Sequence, residues 1–134
     1  MAESTRGFRI AMGVGIAANL AFALPTLVAP AAALRLAGLP AASPIVWPQV
    51  AGLLLSLLSV FYLPAAVDPD RYRLIAWLAV GARLAGVAFF LGVAPAAYHQ
   101  FGYFDLAFFV PQLALLVRLP PAGAHPRSVA GVAS

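Results

Sequence analysis

Charged side chains interrupt this chain so rarely that its apolar runs read directly as structural elements. The 25 positions of residues 10–34, between Arg9 and Arg35, carry no charge, and neither do the 32 positions of residues 36–67, between Arg35 and Asp68. Leu74 to Tyr98 is interrupted only by Arg83, and Phe101 to Val117 only by Asp105. A helix needs about 20 predominantly apolar residues to cross hydrocarbon. The pattern therefore predicts an all-α, polytopic membrane protein with four spans, at about 10–29, 45–66, 74–94 and 101–118. Consecutive spans joined by short connections make an antiparallel four-helix transmembrane bundle. Residues 1–119 are expected to form this single domain, and residues 120–134 a flexible tail.

Prolines and aromatics refine the boundaries. Pro25 and Pro30 bend or end the first helix, and a short interfacial helix is expected around Arg35. Trp47 opens the second span and Tyr62 closes it, each placed where an amphipathic ring sits at a membrane interface. The run Asp68-Pro69-Asp70-Arg71-Tyr72-Arg73 is the one dense charge cluster; it suits a turn and a cap for the following helix. The third helix ends before Pro95, and the fourth before Pro120-Pro121. The tail beyond is rich in Pro, Gly, Ala and Ser, a composition that favours disorder.

Composition agrees with a membrane solvent. Of 134 residues, 63% are hydrophobic and 9% charged, with mean hydropathy +0.96, against about 25% charged in soluble domains. A cleaved signal peptide is the alternative for the first segment, since Ala21-Phe22-Ala23 resembles a cleavage site, but the apolar run continues to Leu34. With a cytoplasmic N-terminus, Arg6, Arg9, Arg71, Arg73, Arg118 and Arg127 share one side and Arg35 stands alone on the other, so both termini are expected in the cytoplasm. The net charge of +4 then reflects orientation and contact with membrane lipids. No basic patch with interleaved aromatics points to nucleic acid.

Chemistry is sparse. Arg83 lies about ten residues into the third helix, roughly 15 Å deep at 1.5 Å per residue, and an intramembrane guanidinium faces a bundle interior, a cavity or a partner. Asp105 enters the fourth helix from the opposite side, about one turn deep, so a direct pair needs the arginine to stretch outward. The competing expectation is a polar network of waters, helix carbonyls and neighbours such as Asn19, Ser56 and Ser59. Gln49 and Gln112 each follow a proline; the pair suits a ligand or partner helix, or a bent helix whose amide satisfies local backbone. Gly81 with Ala85, and Ala82 with Gly86, repeat a four-residue spacing continued by Ala88 and Gly92, which permits close helix approach. Gly13, Ala17 and Ala21 make a similar stripe on the first helix.

The remaining groups suggest no reaction. There is no cysteine, and His99 with His125 supplies no convincing haem or metal ligands. Glu3, Asp68 and Asp70 fall on one side, where two aspartates flanked by Arg71 and Arg73 resemble a capped turn more than a cation site. No catalytic residues, cofactor or metal are expected, and an enzyme is the least favoured class.

The layout and the segment Phe61-Tyr62-Leu63-Pro64-Ala65-Ala66-Val67-Asp68-Pro69-Asp70-Arg71-Tyr72 resemble the DoxX-like group of small bacterial four-helix membrane proteins, over about Phe8 to Leu119. The resemblance implies a compact bundle in the bacterial inner (cytoplasmic) membrane and transfers no catalytic motif. The leading functional expectation is a non-enzymatic accessory or scaffold subunit that engages other membrane-protein subunits or itself. The alternative is a carrier for a small molecule, lipid or quinone-like ligand bound near Arg83.

Overall fold

The computed structural model describes residues 2–121 and is all-α. The expected tail, with His125 and Arg127, falls outside the described residues apart from its first two positions. Among the described residues six α-helices and one 3-10 turn stand where four spans and a short helix around Arg35 were expected: α1 (Ala2–Val28), α2 (Pro30–Leu36), which is that short helix, α3 (Val46–Phe61), α4 (Leu63–Val67), α5 (Arg73–Gly92), the 3-10 turn Ala96–Tyr98, and α6 (His99–Leu116). Among the described residues two helices are long and apolar enough to cross a membrane, Glu3–Val28 and Arg73–Gly92, while Val46–Phe61 is apolar but shorter.

Proline explains most of the extra boundaries. Pro30 disfavours helical backbone at the residue before it, and Ala29 adopts φ −140°, ψ 60°, ending α1 and letting Pro30 start α2. Pro64 lacks the N–H that would continue α3, so the helix pauses at Tyr62 and restarts as α4 with Pro64 in its first turn. The aspartate cluster forms a turn, as Asp68 Oδ1 accepts the Arg71 N–H at 3.1 Å. It does not cap α5, whose N-cap position is Tyr72 with no side-chain bond.

Helix α1 is the hub. It packs against α2, α3, α4 and α6, while α5 packs chiefly on α6. At Gly52 of α3 the two backbones approach so closely that an added Cβ would lie 2.7 Å from the Ala23 carbonyl. Remote segments meet at each end of the bundle. Arg73 donates to the Leu119 carbonyl at 2.8 Å and also to that of Pro120, and Phe8, Ala65, Ala76, Leu116 and Leu119 bury one another nearby. At the other end Gln100 Nε2 donates to the Ala37 carbonyl at 2.8 Å.

The buried faces follow helical spacing. On α5 the buried residues are Ala76, Ala79, Val80 and Arg83, while Leu74, Trp77, Leu78, Leu84 and Phe89 of the same helix are exposed. The interior thus holds small residues and one arginine, and the bulky apolar side chains point outward. Tyr62, expected at an interface, is only 7% exposed and belongs to the central cluster. Trp47 is 66% exposed.

Candidate functional site

The polar centre of the bundle is built on α5, α6 and α1. Arg83 projects from the buried face of α5 and is 7% exposed. Asp105, Phe108 and Gln112 fall at i, i+3 and i+7 on α6, so one helix face presents all three. Arg83 Nη1 donates to Asp105 Oδ1 at 2.7 Å, the short distance of a charge-assisted bond. Its Nη2 donates to the Gly15 carbonyl of α1 at 3.3 Å. The guanidinium carbon lies 5.4 Å from the Phe104 ring centre and 5.1 Å from that of Phe108, within cation–π range.

The packing around this pair leaves no spare room. A Cβ added at Gly86, one turn beyond Arg83, would collide with the Asp105 carboxylate. One added at Gly15 would lie 3.0 Å from Gln112 Nε2 and 3.1 Å from Arg83 Nη2. Two glycines therefore let a charged pair and an amide fit between three helices.

The other candidates divide into satisfied and unsatisfied groups. Ser56 and Ser59 donate to carbonyls one turn back on their own helix, those of Gly52 and Leu55, each at 2.8 Å, and do not join Arg83. Gln49 donates across to the Leu27 carbonyl at 3.2 Å, one of the last carbonyls of α1 that lack a helical partner. Gln112 donates to the Ala11 carbonyl at 3.2 Å. Both prolyl-glutamine amides thus tie their helices to α1, where local backbone satisfaction was the competing expectation. Asn19 is 4% exposed and its side chain is not bonded to Arg83, and Gln112 Oε1 is buried without a donor among the described residues.

The small residues split between two faces. Ala82 and Gly86 are turned inward, Ala82 against the core and Gly86 against Asp105. Gly81, Ala85, Ala88 and Gly92 are exposed, and nothing lies within 4 Å of a Cβ added at Gly81 or Gly92. Sequence reasoning did not single out Phe104, Phe108 or Gly15. The i, i+4 spacing of the two phenylalanines around Asp105 was a usable signal; a glycine carbonyl carries none. Comparison with protein-family models, curated proteins and solved structures finds no match to this chain.

Proposed function

We propose that this chain is a multi-pass protein of the bacterial inner membrane acting as a non-enzymatic accessory or scaffold subunit. In this reading α1, α3 with α4, α5 and α6 are four antiparallel spans. Both termini lie in the cytoplasm, on the side that gathers Arg6, Arg9, Arg71, Arg73 and Arg118. The carrying observation is the contrast between the two faces of α5. Its inward face commits Arg83 to Asp105 and the Gly15 carbonyl. Its outward face offers Gly81, Ala85, Ala88 and Gly92 at spacings of four, three and four with no neighbour over the glycines. Small residues in such a row let a second helix approach closely in lipid, where van der Waals packing drives association.

The internal pairing of Arg83 weighs against the carrier alternative at that position, because a bound anion would have to displace Asp105. The test is copurification in a mild detergent with Ala85→Trp as the perturbing variant. The scaffold reading expects a stoichiometric unlike subunit, or a second copy, with the wild type. Retention should fall about tenfold in the variant, or about 1.4 kcal/mol, with helix content unchanged. Purification of the wild type as a lone chain, or full retention by Ala85→Trp, overturns it.

A further inference from the structure

The second arginine in an apolar setting has no side-chain partner among the described residues. Arg35 is exposed at the C-terminal end of α2, and its guanidinium forms no hydrogen bond or ion pair with any described residue. It borders a half-open cavity of about 500 Å³ whose walls include Ala31, Leu34, Leu39, Ala42 and Ile45, a volume within the roughly 300–1,000 Å³ range of small-molecule sites. No acidic residue occurs between Arg35 and Asp68. A cation without a partner among the described residues therefore sits at the edge of an apolar trough.

The trough is held in shape. Gly38 adopts φ +68°, the left-handed conformation that glycine takes without a Cβ penalty. Its N–H donates to the Arg35 carbonyl at 3.1 Å, and the Leu39 N–H to the Leu34 carbonyl at 2.9 Å. This pair of bonds is the Schellman ending of a helix, which brings the flanking apolar residues together. Leu34 and Leu39 are accordingly both buried, at 8% and 9% exposure, and both line the cavity. The Gln100 amide bonded to the Ala37 carbonyl ties the same loop to the start of α6.

We infer that this trough binds one anionic phospholipid, with the headgroup phosphate on the Arg35 guanidinium and the upper acyl chain along Leu34, Leu39 and Ile45. A guanidinium presents planar N–H donors that match phosphate geometry, and the apolar walls beside it suit the acyl chain of the same lipid. Charge complementarity chooses the anionic lipid over a zwitterionic one, and the uncharged walls favour a chain-bearing ligand over free phosphate. The inference rests on the membrane placement proposed above and needs no protein partner. It can fail while the scaffold reading stands, and the reverse holds too.

The test uses the full chain in a neutral detergent, offered equal amounts of phosphatidylglycerol and phosphatidylcholine of matched chains, with bound lipid counted by native mass spectrometry. One arginine near an anionic lipid contributes about 1 kcal/mol, so wild type should retain one phosphatidylglycerol with about fivefold preference. Arg35→Gln should bring the ratio to about one. Ala42→Phe, which fills the trough and leaves the charge, should lower retention of both lipids. Arg9→Gln, another exposed arginine, should behave as wild type, and millimolar inorganic phosphate should not displace the lipid. The inference is overturned by equal retention of the two lipids in wild type, by preference surviving Arg35→Gln, by equal loss in Arg9→Gln, or by displacement with phosphate alone. Matching far-ultraviolet circular dichroism among the variants assigns any loss to the site.

Discussion

Arg83 and Arg35 are both arginines set in long apolar stretches, yet the fold treats them oppositely. Arg83 is 7% exposed, paired with Asp105 at 2.7 Å, bonded to a helix carbonyl and flanked by two phenylalanine rings. Arg35 has none of these partners and stands beside open space. Depth alone made Arg83 the conspicuous charge, because an intramembrane cation is costly wherever it lies. The comparison shows that cost and availability are different properties. A charge the fold has already neutralised contributes to packing of the helices, whereas one without a partner among the described residues, at the edge of a cavity, is the one the proposed ligand would engage.

The most severe test of this contrast removes the partner of Arg83. Asp105→Leu leaves a buried guanidinium without its counter-charge, and breaking such a pair from one side costs about 3–5 kcal/mol. The double variant Arg83→Leu with Asp105→Leu should recover most of that loss, since replacing both partners by apolar groups is often neutral. Unfolding midpoints in mixed micelles measure both. If Asp105→Leu costs less than about 1 kcal/mol, a loss typical of exposed pairs, Arg83 is not committed internally and the distinction from Arg35 collapses.

Much of the fold was legible because apolar length and proline position act locally. The start of α5 at Arg73 and its end ahead of Pro95 follow from the sequence, whereas α6 runs from His99 to Leu116, two residues earlier at each end than expected. The separate α2 matches the short helix expected around Arg35, whereas the break at Tyr62 was less legible, since Pro64 announces a disturbance without specifying a bend or a restart. The central pair was legible as one of two competing expectations. Arg83 and Asp105 enter from opposite ends, so contact required a stretched arginine, and depth says nothing of how Gly86 lets the carboxylate approach. Ser56 and Ser59 stood at suitable depth, yet each is absorbed by its own helix carbonyl, a local competitor always within reach. The Arg35 cavity had no sequence signal, because it arises from a helix ending and a loop closing against α6.

A smaller effect separates the two faces of α5. Gly86→Ala places a methyl against the Asp105 carboxylate, so the helices must shift or the ion pair must lengthen. Overpacking of this kind costs about 1–3 kcal/mol. Gly81→Ala, on the face where an added Cβ meets nothing, should cost the isolated chain no stability and gain up to about 1 kcal/mol from the better helix propensity of alanine. Measured side by side, the pair reports which small residues hold the bundle and which remain available outside it. Equal losses would mean that the outward face already packs within the folded chain.

The smallest effect belongs to Arg35. Its side chain lies in the open, contributes no hydrogen bond to the fold, and has no acidic neighbour from residue 36 to residue 67. The helix ending uses its backbone carbonyl, which accepts the Gly38 N–H and which glutamine supplies equally well. Arg35→Gln should therefore move the unfolding midpoint by no more than about 0.5 kcal/mol in detergent free of anionic lipid. With phosphatidylglycerol added, the wild type should be stabilised relative to the variant, since a ligand bound only by the folded state raises stability by mass action. That lipid-dependent gap is the decisive quantity. A large loss already present without lipid would place Arg35 in the same structural class as Arg83, and a gap that stays near zero with lipid would remove the ligand from the contrast.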